Sequence, residues 1–296
     1  MEDHDHSLAA DLQAMFSIAT GRRQSLRWLL AGAALPMMGC GGSSDGTSTD
    51  TTSSNTGSST NAGTSTGSGT GTGTGAGSGT TSCSVIPEET GGPYPGDGTN
   101  SNSSGVVNVL NMSGIVRQDI RSSFAGATGT AAGVPLTIKL HILNANNSCG
   151  VAGNFAVYLW HCDREGRYSL YSSGVTNQTY LRGVQEADAN GDLTFTTIFP
   201  GCYDGRKPHV HFEVYRTLAA SVSASNRIKT SQFTFPMATL NEAYAASGYG
   251  TSVTNLARIS YATDNIFSDG YSLQLASMTG NATDGYVATL TLAVAA

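Results

Sequence analysis

The chain carries little charge for its length: Asp, Glu, Lys and Arg make up 12% of its 296 residues, and 15 basic against 21 acidic side chains leave a formal net charge of −6. So thin and acidic a balance argues against a nucleic-acid partner, which is held through basic patches. Long apolar runs are also missing. The most apolar stretch, residues 28–38, falls well short of the ~20 residues that a membrane-spanning helix needs. Cysteine is sparse, and none of the five lies in a Cys-x-x-Cys pair, which removes the common zinc modules. Aromatic and large aliphatic side chains are absent altogether from residues 41–82, where Gly, Ser, Thr, Asn and Ala dominate. That stretch has nothing to bury against the entropy of ordering.

These absences divide the chain. Residues 1–40 read as an export signal: Arg22-Arg23-Gln24-Ser25-Leu26-Arg27 precedes the short apolar segment, and the paired arginines resemble a twin-arginine signal. Met38-Gly39-Cys40-Gly41 resembles a lipoprotein cleavage box, in which Cys40 becomes the lipidated first residue. Residues 41–82 read as a flexible tether with a span of roughly 35 Å by the coil rule. The expectation is an exported protein, periplasmic or at the cell surface, whose membrane contact is a lipid anchor at Cys40. Four cysteines then remain, Cys83, Cys149, Cys162 and Cys202. An oxidising compartment favours two disulfides among them, with all three pairings open. Residues 83–296 hold nearly all the Tyr and Phe, enough for one folded domain.

That domain reads as strands. In residues 134–142, Leu136, Ile138, Leu140 and Ile142 alternate with Thr137, Lys139 and His141, the period-2 pattern of a half-buried strand. Residues 155–160, 193–199, 209–215, 232–235, 271–276 and 286–294 are similar, separated by Gly-, Asn- and Asp-rich turns such as Asp188-Ala189-Asn190-Gly191-Asp192. Helical signal is confined to residues 237–246 and a turn at 253–258. The expected architecture is an all-β sandwich with long functional loops.

Chemistry concentrates around His209-Val210-His211. On a strand, imidazoles at i and i+2 share one face while Val210, Phe212 and Val214 face the sandwich core. Such a pair can clamp a metal, zinc included. Tyr203 and Arg206 lie shortly before it, and Tyr168 follows the strand that ends at Trp160. Two phenolates beside two imidazoles are hard anionic donors that favour iron(III) over iron(II) or zinc.

The segments Val157-Tyr158-Leu159-Trp160-His161-Cys162-Asp163, Gly166-Arg167-Tyr168-Ser169, Leu181-Arg182-Gly183-Val184-Gln185, Thr197-Ile198-Phe199-Pro200-Gly201-Cys202-Tyr203 and Gly205-Arg206-Lys207-Pro208-His209-Val210-His211-Phe212 resemble successive motifs of the intradiol ring-cleavage dioxygenases, in particular the extracellular protocatechuate/catechol-dioxygenase-like branch. The resemblance implies a non-haem Fe(3+) enzyme that opens catechol-type rings with O2 to muconate-type diacids. It assigns Tyr168, Tyr203, His209 and His211 as ligands. Tyr203 would also take a substrate proton, Arg206 would stabilise the ketonised, carbanion-like substrate, and Gln232 would support the site from behind. Gly91 stands where the family often has an acid, and Cys202 where it often has an aromatic; both departures bear on substrate preference.

Other classes are defined by the same residues. A catalytically silent β-sandwich binding module would keep the fold without tyrosinate ligands, and a zinc hydrolase would need only the two histidines. An extradiol enzyme would need a carboxylate, which Glu213 alone could supply from the same strand face. His141 on the polar strand face is expected to be solvated or sheet-paired, and His161 beside Cys162 to make structural hydrogen bonds; neither is expected to be a ligand.

Overall fold

The structure, a computed structural model, describes residues 83–296; the expected signal, the Cys40 anchor and the tether lie outside the described residues. Eleven strands carry the described domain: β1 Asp97–Asn102, β2 Gly105–Asn108, β3 Pro135–Asn144, β4 Gly150–Val151, β5 Ala156–Trp160, β6 Arg182–Glu186, β7 Asp192–Ile198, β8 His209–Tyr215, β9 Arg227–Thr234, β10 Ser277–Asn281 and β11 Gly285–Val294. Two short helices, α1 Met237–Ala243 and α2 Gly250–Leu256, follow β9. The domain is all-β.

Two sheets face one another. One runs β6-β5-β8-β9, antiparallel throughout. The other runs β10-β11-β3-β4, with β7 also pairing β3 and a parallel β3–β11 pair within it. The alternation of β3 explains its place: Leu136, Ile138, Leu140 and Ile142 are buried, and they pack in one core with Val157 and Leu159 of β5, Phe195 of β7, Val210, Phe212 and Val214 of β8, and Leu290 and Leu292 of β11. Fully burying side chains of this size stabilises by ~1.5–3 kcal/mol each.

The outer face of the β6-β5-β8-β9 sheet is buried as well. Tyr158, Trp160 and Tyr215 lie there in a second cluster with Val107, Val109, Leu110, Ile115 and Phe124 from the N-terminal part of the domain. That segment reaches the outer face by crossing the sandwich edge: Ile86 N–H donates to the Ala293 carbonyl and Glu89 N–H to the Thr230 carbonyl. Its start is fastened by the Cys83–Cys149 disulfide.

Most expected strands are present, with shifts. The β9 strand begins at Arg227 rather than 232, and residues 271–276 form no strand beyond an isolated Thr234–Leu275 bridge; the strand lies at Ser277–Asn281 instead. Tyr271 is taken out of any ladder by stacking on Tyr261 at 4.0 Å. The turn expected at 253–258 is the end of α2. The β1–β2 hairpin, low in apolar residues, carries no alternation by which to find it. Among the described residues a second disulfide is not formed. Cys162 and Cys202 are buried thiols, the first directed at the Gly201 carbonyl (3.5 Å) and the second at the Arg206 carbonyl (3.4 Å).

Candidate metal centre

Strand β8 supplies the rigid half of the site. His209 and His211 project from its outer face, both 2% exposed, and their Nε2 atoms lie 3.0 Å apart. Each ring is held from outside the site. Nδ1 of His209 donates to the Lys207 carbonyl at 2.6 Å, which leaves the lone pair on Nε2. His211 is stacked on Trp160, its cross-strand neighbour, with centroids 4.9 Å apart and planes 3° from parallel. The Thr90 carbonyl is near enough to raise the basicity of His211 slightly, yet Nδ1 makes no hydrogen bond of normal geometry. Burial pushes both imidazoles well below their ordinary pKa, with neighbouring His209 and Arg206 adding to it, so both rings are neutral and able to ligate.

Loops supply the other half. Tyr168 follows a turn at Gly166, whose φ of +85° is one that an L side chain rarely adopts. A Cβ on Gly166 would lie 3.0 Å from Cβ of Tyr203, so the missing side chain is what lets the two tyrosine loops touch. Gly92, at φ +70°, likewise lets the N-terminal segment pass close to the His211 ring, since a Cβ there would lie 3.3 Å from its Cε1. The Tyr168 hydroxyl is 3.4 Å and the Tyr203 hydroxyl 3.3 Å from His209 Nε2. Desolvation raises the pKa of both phenols, Tyr168 well above the ordinary value and Tyr203 to about 12, where Arg206 partly offsets the rise. Tyr94 packs against Tyr168 at 5.1 Å and covers this side.

Two phenol oxygens and the His211 Nε2 thus all lie 3.0 to 3.4 Å from the His209 Nε2. Donors about 2.0–2.2 Å from one shared ion at near-tetrahedral to right angles stand about this far apart. Without a cation, the two Nε2 atoms face each other across a distance that needs a proton between them. The donor set therefore fits a small, hard metal ion. Among the described residues, no group of three or more His, Cys, Asp or Glu could hold a metal, so any such site depends on the phenols.

Arg206 lies behind the donors, 1% exposed. Its Nε donates to Asp264 Oδ2 at 3.0 Å and its Nη2 to Gln232 Oε1 at 2.8 Å. Burial opposes its charge, but Tyr203 and Asp264 more than restore it, and its pKa is raised. Gln232 sits opposite His211 in the β8–β9 ladder and donates to the Thr90 carbonyl at 2.8 Å. All six residues singled out from the sequence are therefore in one place. Asp264 was not among them, since a single aspartate in a loop gives no periodic or motif signal.

Glu213 is placed elsewhere. It accepts from the Tyr215 hydroxyl at 2.5 Å and lies 4.0 Å from Arg227 beside Asp97, at the far end of β8. His161 bonds the Cys162 carbonyl (2.8 Å) and Thr197 (2.7 Å), and His141 pairs with Asp192 at 2.7 Å; both are structural, as expected.

A family model described as Dioxygenase matches residues 116–228, a span that contains the four donors and Arg206. Among solved structures, an intradiol ring-cleavage dioxygenase from Tetranychus urticae aligns at 24% identity over 72% of this chain and 95% of its own, with a TM-score of 0.57. The domain has the intradiol dioxygenase fold. The dioxygenase domain of a carbohydrate-binding fusion protein from Streptomyces sp. SirexAA-E aligns to this intradiol-type domain at 22% identity, over 72% of this chain and 99% of its own, with a TM-score of 0.44. No curated protein matches the chain. The family-model match over residues 116–228 includes the segments from 157 to 212 that carry the ligand motifs.

Proposed function

We propose that the protein is an iron(III)-dependent intradiol dioxygenase that cleaves catechol-type diols with O2 to muconate-type diacids. The observation that carries this reading is the convergence of two phenol oxygens and two neutral imidazoles on one point beside a buried guanidinium. Tyr168, Tyr203, His209 and His211 would hold the ion, and two anionic oxygens select the ferric state. When bound, iron(III) would supply a Lewis acid that draws electron density from the substrate ring.

The chain's own residues do the rest. Tyr203 is the half-buried member of the tyrosine pair, and Arg206 tempers the basicity that burial gives it. Its phenol oxygen receives the proton that a catechol hydroxyl gives up. Arg206 holds positive charge where the ring becomes carbanion-like, and a charge fixed before reaction needs no reorganisation during it. Trp160 and Tyr94 keep water from the ligand rings. Cleavage would fall between the hydroxyls, because a donor set that favours iron(III) would favour activation of the organic substrate rather than of oxygen.

The test is to incubate iron-loaded protein with catechol, protocatechuate and hydroxyquinol under labelled dioxygen. A colourless diacid containing the label supports the reading. A yellow semialdehyde means extradiol cleavage, and no product from any of the three returns the domain to a binding role. The reading extends to cellular location: export through Arg22 and Arg23 and lipidation at Cys40. Fractionating cells that express wild type and a double Arg→Lys variant, with a labelled lipid precursor, checks both; undiminished export of the variant or unlabelled wild type removes the respective claim.

A further inference from the structure

We propose that Asp264 is the positioning residue of Arg206, fixing the guanidinium against the tyrosine pair. The inference rests on the role proposed for Arg206 above. Asp264 is fully buried, and its carboxylate is saturated by four donors arranged in two arms. Oδ2 accepts Arg206 Nε at 3.0 Å and Lys207 N–H at 2.6 Å. Oδ1 accepts the Ile266 and Phe267 N–H groups at 2.8 and 3.1 Å. The second arm fixes the carboxylate to its own loop, so that the first arm is a rigid clamp rather than a mobile counter-ion.

The geometry gives the clamp a direction. Arg206 is engaged through Nε and Nη2, by Asp264 and Gln232, and among the described residues no hydrogen bond uses Nη1. Gln232 is itself tied to the Thr90 carbonyl, so both supports of the guanidinium are anchored in turn. Phe267, set by the Oδ1 arm, lies 5.9 Å from the guanidinium and 6.5 Å from the His209 ring and fills the space between. The same Oδ2 that holds Arg206 also holds the Lys207 amide, whose carbonyl holds His209. Arg206 is thereby registered against the metal-binding strand. A buried arginine with five donors has several ways to turn; Asp264 selects one.

The test compares Asp264→Asn, Arg206→Gln and the double variant in the full-length chain. Asn keeps the volume but cannot offer acceptors to both arms. Turnover per bound iron should fall roughly 100-fold in Asp264→Asn, the scale of a misplaced catalytic group. Iron content and KM should stay within about threefold of wild type, since a positioning effect lives in kcat. In the Arg206→Gln background, adding Asp264→Asn should change turnover less than about threefold, because residues that act as a unit are not additive. The double variant removes both charges of the buried pair, so it stays measurable if the single variant fails to fold. A readout independent of turnover is the Nε–H resonance of Arg206 with diamagnetic gallium(III) or no metal: slow exchange in wild type and fast exchange in Asp264→Asn are expected. Wild-type turnover per iron in Asp264→Asn, or an equal loss in both backgrounds, overturns the proposal. If wild type turns over no catechol, the function proposed above fails, and the resonance alone decides whether Asp264 holds Arg206.

Discussion

The two faces of strand β8 are equally dry and chemically opposite. Val210, Phe212 and Val214 face the core between the sheets, and His209, His211 and Glu213 face outward; every one of the six is buried. Burial therefore does not distinguish core from site here. What differs is the cover. The inner face is closed by a second sheet whose apolar alternation matches it. The outer face is closed by loops and the N-terminal segment, which bring phenols, a guanidinium and carboxylates to meet the polar side chains. An interior face needs shape, whereas a face closed by loops can be given chemistry, because loops tolerate the backbone conformations of Gly92 and Gly166.

The largest expected effect separates the faces directly. Replacing His209 or His211 with Ala should weaken iron binding by at least ~100-fold, more than is typical for losing an outer partner of a ligand, while thermal unfolding of the metal-free protein changes little. Phe212→Ala should do the reverse, costing about 3–5 kcal/mol of stability with iron retained at low temperature. Metal analysis and denaturant titration of the three variants check this; parallel losses in both measurements would erase the distinction.

Cutting the covalent fastening of the outer cover should come next. The Cys83–Cys149 bridge spans 66 residues, and chain entropy assigns such a loop roughly 4 kcal/mol. A Cys83→Ser, Cys149→Ser double variant should lose up to that much stability, and hydrogen exchange should rise in the N-terminal segment before it rises in β3 or β11.

Glu213 sharpens the comparison along the outer face itself. Burial, with Asp97 beside it, pushes its pKa up from 4.5 to about 8. The folded protein thus holds this proton more tightly than the unfolded chain, so the contribution is complete below about pH 4.5 and lost as pH rises through about 8. Tyr215, Asp97 and Arg227 are the groups that face it. Glu213→Gln should flatten that loss and raise stability at pH 8 by on the order of a few kcal/mol. Equal pH slopes for wild type and variant in urea unfolding would show that the carboxyl is not the titrating group.

The smallest effect concerns the join between the tyrosine loops. Gly166→Ala places a Cβ at φ +85° against Tyr203, a strain of about 1–3 kcal/mol. It should shift the visible tyrosinate band of the iron-loaded protein while leaving the two histidines in place. An unchanged spectrum would mean that the loops do not need that contact.

The amino-acid sequence by itself determined the parity of β8 and the core-facing alternation of β3, because side chains on a strand repeat every two residues whatever surrounds them. His209 and His211 had to share a face, and Val210 and Phe212 had to share the other. Residue chemistry and motif resemblance were enough to name Tyr168, Tyr203, Arg206 and Gln232, but the approach of both phenols to His209 and the bond between Arg206 and Gln232 were decided by the tertiary structure. So were the choice of Cys83 with Cys149, the two thiols left unbridged, the engagement of Glu213 by Tyr215 and Arg227, and the clamp that Asp264 closes on Arg206 from 58 residues away. The physical reason is one of range: backbone periodicity fixes direction over a few residues, while contacts across tens of residues follow from how loops of a given length and a few permissive glycines can close over a sheet.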